Sequence, residues 1–351
     1  MYEIPCGIYK RSYQEEIAIV QSKDQWILLI TAIIIFLALP FIISESMLTT
    51  INTMAIWVIA AYGLNLLTGY GGEISIGHAA FMGIGAYTSA ILANDYGLPF
   101  WFALPCAALF TGACGLVFAL PSTRLKGFYL AIVTLAAQVI IEWVLSNWKS
   151  VTGGYGGLEV PYPSIGGWEF DTEKSWYYLT VVMAFIMGMV AKNMARSNVG
   201  RAFVAIRDND LAAEVMGINL FKYKSIAFFT GCGFAGAAGS LWAHYASHIS
   251  PEFFNLHESI WFLGIIIVGG MGKAMGPVFG VMFIFILKRI ITYAVPIISE
   301  YFPAIGVQAL SSFGLMTFGL VVAFFLIFEP RGIAHWWDKF KNFYRIWPFS
   351  Y

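Results

Sequence analysis

The chain has 351 residues, of which 59% are hydrophobic, 17% aromatic and only 11% charged. A soluble domain carries about 25% charged residues, so most of this surface faces hydrocarbon and a soluble class is excluded. Twenty basic residues cancel twenty acidic ones, which leaves no net field directed at nucleic acid.

A membrane-spanning helix needs about 20 mostly apolar residues. Residues 1–25 are mixed and polar and read as a cytoplasmic N-terminal segment. The run 26–43 follows without a small-residue cleavage site, so it is a retained first span and not a removed signal. Further candidates are 51–67, 78–93, 100–120, 128–146, 176–191, 225–247, 260–270, 277–297 and 309–328. The prediction is an all-α polytopic membrane protein with about ten transmembrane helices. Its transmembrane region covers 26–328, and 329–351 form a cytoplasmic tail.

Between the second and third runs stands TGYGGEISIGHAAFMGIGAYT, residues 68–88. It places Gly71, Gly72, Glu73, Ser75, Gly77 and His78 at a break. Non-helical backbone at membrane depth persists only where protein or a water-filled cavity surrounds it, so an intramembrane break is a translocation-path hypothesis. A Gly-rich turn at the cytoplasmic surface fits the same residues. A second break, GGMGKAMGP at 269–277, holds Gly269 and Gly270. Glu73 and His78 are five residues apart, about 180° around an intact helix, so they share a cavity only if the helix is broken. The other polar groups within spans are Asn65, Gln138 and Glu142. Asn65 and Gln138 are read as interhelical hydrogen-bonding groups.

Lysine and arginine favour the cytoplasmic side. With the N-terminus inside, the inner segments collect Lys10, Arg11, Lys23, Arg124, Lys126, Lys192, Arg196, Arg201, Arg207, Lys222, Lys224, Lys273, Arg331, Lys339, Lys341 and Arg345. The outer segments hold only Lys149 and Lys174, so both termini are placed inside. Lys288 and Arg289 fall midway along the ninth run. Either they snorkel from a tilted helix, or that span ends near them and the two glycine breaks are equivalent re-entrant elements.

The outer loop 147–175 is rich in Gly, Pro and aromatics, a composition suited to a folded loop that can meet a partner. The inner segment 192–224 is too apolar for a linker. Ala202, Phe203 and Ile206 form one stripe, and Leu211, Val215 and Ile218 another. Asn209 or Asp210 can cap a short helix that Gly217 ends. Two short amphipathic cytoplasmic helices follow, able to lie on a membrane or dock in a partner's groove.

No G-x-x-x-x-G-K-[ST] loop occurs, nor H-E-x-x-H, G-x-S-x-G or C-x-x-C, so the chain carries neither a catalytic nor a nucleotide-binding motif and calls for no cofactor. Cys6, Cys106, Cys114 and Cys232 have no metal-ligand spacing and read as packing residues. His244, His248 and His257 read as interfacial histidines and not as metal ligands.

Several segments together resemble the permease subunits of bacterial ABC importers for branched-chain amino acids, of the LivM type. They are GLNLLTGYGGEISIGHAAFMGIGAY (63–87), RLKGFYLAIVTLA (124–136), TGGYGGL (152–158), VGRAFVAIRDNDLAAEVMGINLFKYKSIAF (199–228), FAGAAGSLWA (234–243), ISPEFF (249–254), IIIVGGMGKAMGPVFG (265–280) and FEPRGIA (328–334). They span about residues 50 to 335 in the family's order. The final HWWDKFKNFYRIWPFSY matches no pattern. The resemblance implies the type II importer architecture, like the vitamin B12 and ribose permeases. It also implies a second homologous permease subunit, two cytoplasmic ABC ATPase subunits and a periplasmic or lipid-anchored substrate-binding protein as partners.

In such permeases a Glu-Ala-Ala, three residues, then Gly pattern marks the helix that docks the ATPase. Here Ala212, Ala213 and Gly217 match, Leu211 occupies the glutamate position and Asp210 precedes it. With Arg201 and Arg207 they form the expected coupling set. Related permeases serve urea, short amides or aromatic acids. A proton-coupled carrier or channel using Glu73 and His78 is the rival from another class, and a membrane-embedded enzyme is a third.

Overall fold

The computed structural model describes residues 23–122, 125, 127–165, 167–301 and 307–346. The charges Lys10, Arg11, Arg124 and Lys126, together with Cys6, lie outside the described residues. The chain is mostly helical. Its long helices are α1 (Lys23–Ile42), α2 (Glu45–Leu64), α3 (His78–Asn94), α4 (Phe100–Ser122), α5 (Phe128–Asn147) and α6 (Glu173–Arg196). Two short helices follow, α7 (Asn198–Asp208) and α8 (Asp210–Val215). The rest are α9 (Leu220–Ala246), α10 (Leu256–Gly269), α11 (Gly276–Tyr301), α12 (Val307–Phe328) and α13 (Ile333–Ile346).

Each of the ten sequence-predicted spans is a helix, although several start or stop a few residues away. Among the described residues, 7 helices are long and apolar enough to cross a membrane. An eighth is possible if the bent pair Met316–Phe328 and Ile333–Phe343, kinked by 48°, counts as one span.

Helix α9 is the core of the bundle, packed against α2, α3 and α4. Its sequence explains why. A helix apolar all round belongs in the interior, and α9 adds Gly231, Gly236 and Gly239 wherever another backbone comes close. A methyl group on Gly63 of α2 would lie 2.5 Å from the Gly231 carbonyl oxygen. Gly85 of α3 lies against the backbone of Gly236, and Gly239 against the carbonyl of Met82. With lipid as apolar as leucine, such close packing of small residues is what holds membrane helices together.

Helix α5 is the contrast. Its buried residues Leu130, Ala131, Thr134, Ala137, Gln138 and Leu145 form a single stripe. Phe128, Tyr129, Ile132, Val139, Ile140 and Trp143 face away from the bundle.

The outer loop is folded, as its composition suggests. Strand β1 (Leu158–Glu159) pairs antiparallel with β4 (His248–Ile249), and β2 (Ser164–Ile165) with β3 (Trp168–Glu169). His244 fixes the loop to the bundle. One ring nitrogen lies 2.7 Å from the Pro161 carbonyl oxygen, the other 3.0 Å from Ser89 Oγ. His257 instead accepts from Trp261 Nε1 at 2.6 Å.

The ambiguity at Lys288 is resolved by α11, which runs unbroken through it. The ammonium lies 4.3 Å from the ring centre of Trp261 and 4.6 Å from that of Trp57. Aromatic faces stabilise a cation where water is scarce, so no helix end is needed there. The two glycine breaks are therefore not followed by equivalent short spans.

Because α9 touches its neighbours backbone to backbone, Gly239→Leu should force α3 away. We expect a loss of about 1–3 kcal/mol or more from overpacking, read as a lower melting temperature of the detergent-solubilised protein. Gly319→Leu on α12, where nothing lies within 4 Å, should leave it unchanged.

Candidate functional site

The first break begins inside α2. After Leu64 the helix widens into a π-helical turn, Asn65–Tyr70. Its exit is pinned by wide-turn backbone bonds: the Gly71 N–H reaches Leu66 O at 3.1 Å, and the Glu73 N–H reaches Leu67 O at 3.2 Å. Gly72 has φ +72°, a left-handed conformation that glycine adopts without steric cost. Thr68 Oγ1 donates to the Glu73 carbonyl oxygen at 2.9 Å. Helical structure resumes only at His78.

The broken helix does not bring Glu73 and His78 into one cavity. Glu73 turns toward α9, where Lys224 Nζ lies 2.7 Å from its Oε1 and both side chains are buried. Lys224 also donates to the Ser122 carbonyl oxygen at the end of α4, 2.9 Å away. His78 turns toward α2, with Nε2 2.8 Å from the Ala60 carbonyl oxygen. Its Nδ1, and the hydroxyl of Ser75, are buried and have no hydrogen-bond partner among the described residues. Gly77 lies against the Thr134 carbonyl of α5, where a methyl group would be 2.5 Å away.

Two other helices supply the missing cap of α3. The N–H of Ala79 donates to Ser259 Oγ of α10 at 2.9 Å, and that of Ala80 to Gln138 Oε1 of α5 at 2.9 Å. Gln138 Nε2 donates onward to the Phe254 carbonyl oxygen. The N–H of Ile76 donates to Thr134 Oγ1 at 3.0 Å. Free N–H groups at a helix start need such partners.

The second break, between Gly269 and Gly276, packs directly on the first. Asn65 joins them, accepting from the Gly272 N–H at 2.8 Å and donating to the Lys273 carbonyl oxygen at 3.0 Å. Gly69 is confined between Asn65 and the Gly272 amide. Gly270 is in turn covered by Arg331 and Gly332, from the turn that leads into α13. Lys273 Nζ pairs with Asp338 of α13 at 2.7 Å. The FEPRGIA segment thus closes the same junction.

Helices α7 and α8 lie beside it. Ser197 caps α7 by accepting from the Val199 N–H, and Asn209 caps α8 by accepting from the Ala212 N–H. Ala202, Phe203 and Ile206 are buried, as their stripe predicts. The second stripe behaves differently. Leu211 and Val215 are exposed, joined by Met216 and not Ile218, while Ala213 is the buried residue. Val215 is 87% exposed, and Ala212 and Gly217 are also on the surface. Asp210 opens α8 in its first turn.

The two arginines have different surroundings. Arg201 is exposed and bonds to the Arg196 carbonyl and to Asn198, its own neighbours. Arg207 reaches the first break, donating from Nη1 to the Gly69 carbonyl oxygen at 2.8 Å. Asp208 accepts from its Nε and Nη2. Sequence reasoning placed Lys224 only as an inner-side charge.

Comparison with known proteins gives this geometry a family. The model of the family described as branched-chain amino acid transport system / permease component matches residues 46–327. The high-affinity branched-chain amino acid transport system permease protein LivM of Salmonella typhimurium is 29% identical over 336 residues, 89% of this chain and 75% of that protein. The protein of that name from Escherichia coli is 28% identical over the same shares. The ribose import permease protein RbsC of Haemophilus influenzae is 22% identical over 75% of this chain and 82% of that protein. No solved structure matches significantly.

The buried pair gives a stability test. Lys224→Met should remove the buried ammonium that faces the Glu73 carboxylate, at a cost of about 3–5 kcal/mol. The double variant Glu73→Gln with Lys224→Met should recover most of that loss. Thermal unfolding in detergent measures both, and a double variant no better than the single one would contradict the pairing.

Proposed function

The chain belongs to the permease-component family of branched-chain amino acid transport systems, and we propose that it is one of the two permease subunits of an ATP-driven importer of the type II architecture. In this reading all ten long helices cross the bacterial inner membrane, with both termini cytoplasmic. The partners are a second permease subunit, two ABC ATPases and a periplasmic or lipid-anchored binding protein. ATP hydrolysis belongs to the partners. Branched-chain amino acids are favoured as substrate because the relatives named for them match more closely and over more of this chain than the ribose permease does.

The observation that carries the reading is α8. A capped six-residue helix presents Leu211, Val215 and Met216 outward beside the junction of both broken helices. Exposed apolar side chains on the inner face of an importer permease suit the cleft of an ATPase, and Arg201, Asp210, Ala212, Ala213 and Gly217 surround them. Gly217 has φ +89°, which a larger residue would strain.

The path is assigned to the segment containing Gly71, Gly72, Glu73, Ser75, Gly77 and His78, with Gly269 and Gly270 beside it. The structure is closed there. Ser75 is fully buried and His78 1% exposed, with Gly77 between them packed on α5. If α5 moves outward, the N–H groups of Ile76 and Ala80 lose their caps and the segment from Ser75 to Ala80 opens to the space vacated. Amides at a helix start favour a carboxylate, as an amino acid requires. Glu73, already paired, would hold the break in place and not touch substrate.

Co-expression with the ATPases and binding protein tests the reading. The intact complex should purify together and accumulate leucine or valine in proteoliposomes when ATP is supplied. Val215→Asp should release the ATPase subunits while the permease remains inserted. A Val215→Asp complex that purifies intact and transports normally would remove α8 from the docking site.

A further inference from the structure

We propose that Arg207 and Lys224 act as two struts that bracket α8 and carry its displacement into the first glycine break. The proposal rests on α8 being the ATPase-docking element. Arg207 is the last basic residue before α8, and Lys224 lies in the first turns of α9 after it. Both end on the same five residues: Arg207 on the Gly69 carbonyl oxygen at 2.8 Å, Lys224 on the Glu73 carboxylate at 2.7 Å.

The surroundings are shaped to these contacts. A methyl group on Gly72 would lie 2.6 Å from Arg207 Cγ, and one on Gly272 would lie 2.9 Å from Arg207 Nη1. The Arg207 side chain therefore threads between the two breaks, and Asp208 fixes its plane. A charge serving only orientation needs no such setting, and Arg201 shows that arrangement. Lys224, by contrast, is 4% exposed and is held by Glu73 and by Ser122 of α4. Phe203, Ile206, Tyr223 and Ala227 line the crevice beside the Lys224–Glu73 pair and Gly71.

From the first break the displacement continues through fixed bonds. Asn65 ties it to Gly272 and Lys273, and the 71–77 segment leads to Ser75. Coupling requires an element with two arrangements that both sites bias, and the break is that element here. Arg207 and Lys224 are positioning residues, since neither needs to touch substrate or ATPase.

The test uses the whole complex with Ser75→Cys as reporter. The labelling rate of this cysteine by a small water-soluble maleimide is measured with and without ATP. In the parent we expect ATP to change the rate by about tenfold. Arg207→Gln, and separately Lys224→Glu, should reduce that change to within about twofold with the ATPases still bound, since loss of such contacts alters coupling. Arg207→Lys, which keeps a donor for Gly69, and the swapped pair Glu73→Lys with Lys224→Glu should restore most of it.

A parent rate indifferent to ATP overturns the proposal, as does an Arg207→Gln complex with the full ATP response. Loss of the ATPases from Arg207→Gln alone would place Arg207 on the partner and overturn it too. A parent chain that binds no ATPase at all would instead sink the importer reading itself.

Discussion

Where two helices break inside one bundle, their released backbone groups must find partners, and the rest of this structure is arranged around that demand. A buried donor or acceptor left unpaired costs about 1–3 kcal/mol, a large share of a protein's net stability. The chain meets this with side chains from distant segments. Asn65 serves the second break, Thr68 the first, and Thr134, Gln138 and Ser259 the start of α3. Polar residues in apolar helices, which look like liabilities in composition, are the caps of neighbouring elements.

Charge within the bundle is handled by two routes. Lys224 is matched by a carboxylate and a carbonyl, which compensates it fully and fixes its position. Lys288 stands over the rings of Trp57, Trp261 and Phe285. The first route binds two chain segments at defined atoms. The second tolerates sliding, because a ring face offers no single acceptor. That difference suits Lys224 to transmitting a displacement and Lys288 to remaining in place while helices shift.

The helices were legible in the sequence because a long run of apolar residues has few alternatives to a helix in lipid. The breaks were legible through their glycines, and α7 and α8 through period and caps. The partner of Glu73 was not legible. It is 151 residues away, and nothing local distinguishes Lys224 from the other inner-side cations. The bond from Arg207 to the Gly69 carbonyl was not legible for the same reason, since the acceptor is a backbone group 138 residues away in the π turn. The second stripe was half right. Leu211 and Val215 do share a face, but it looks outward, and periodicity cannot tell a face that packs within the chain from one offered to another.

These features divide the molecule by stiffness. Helices α2, α3 and α9 meet at glycines, backbone against backbone, so they move together, while α4 packs on α9 through Gly112, Gly115 and the side chains of Thr111 and Cys232. Close-packed interfaces switch between discrete arrangements more readily than they deform. Helix α5 is held by one stripe and a few polar bonds, and it covers the start of α3. In the proposed coupling, a force applied at α8 would enter through Arg207 and Lys224 at the base of this group. The attachment to α5 rests on side-chain bonds from Thr134 and Gln138, so motion is expected there ahead of the glycine contacts between α2, α3 and α9.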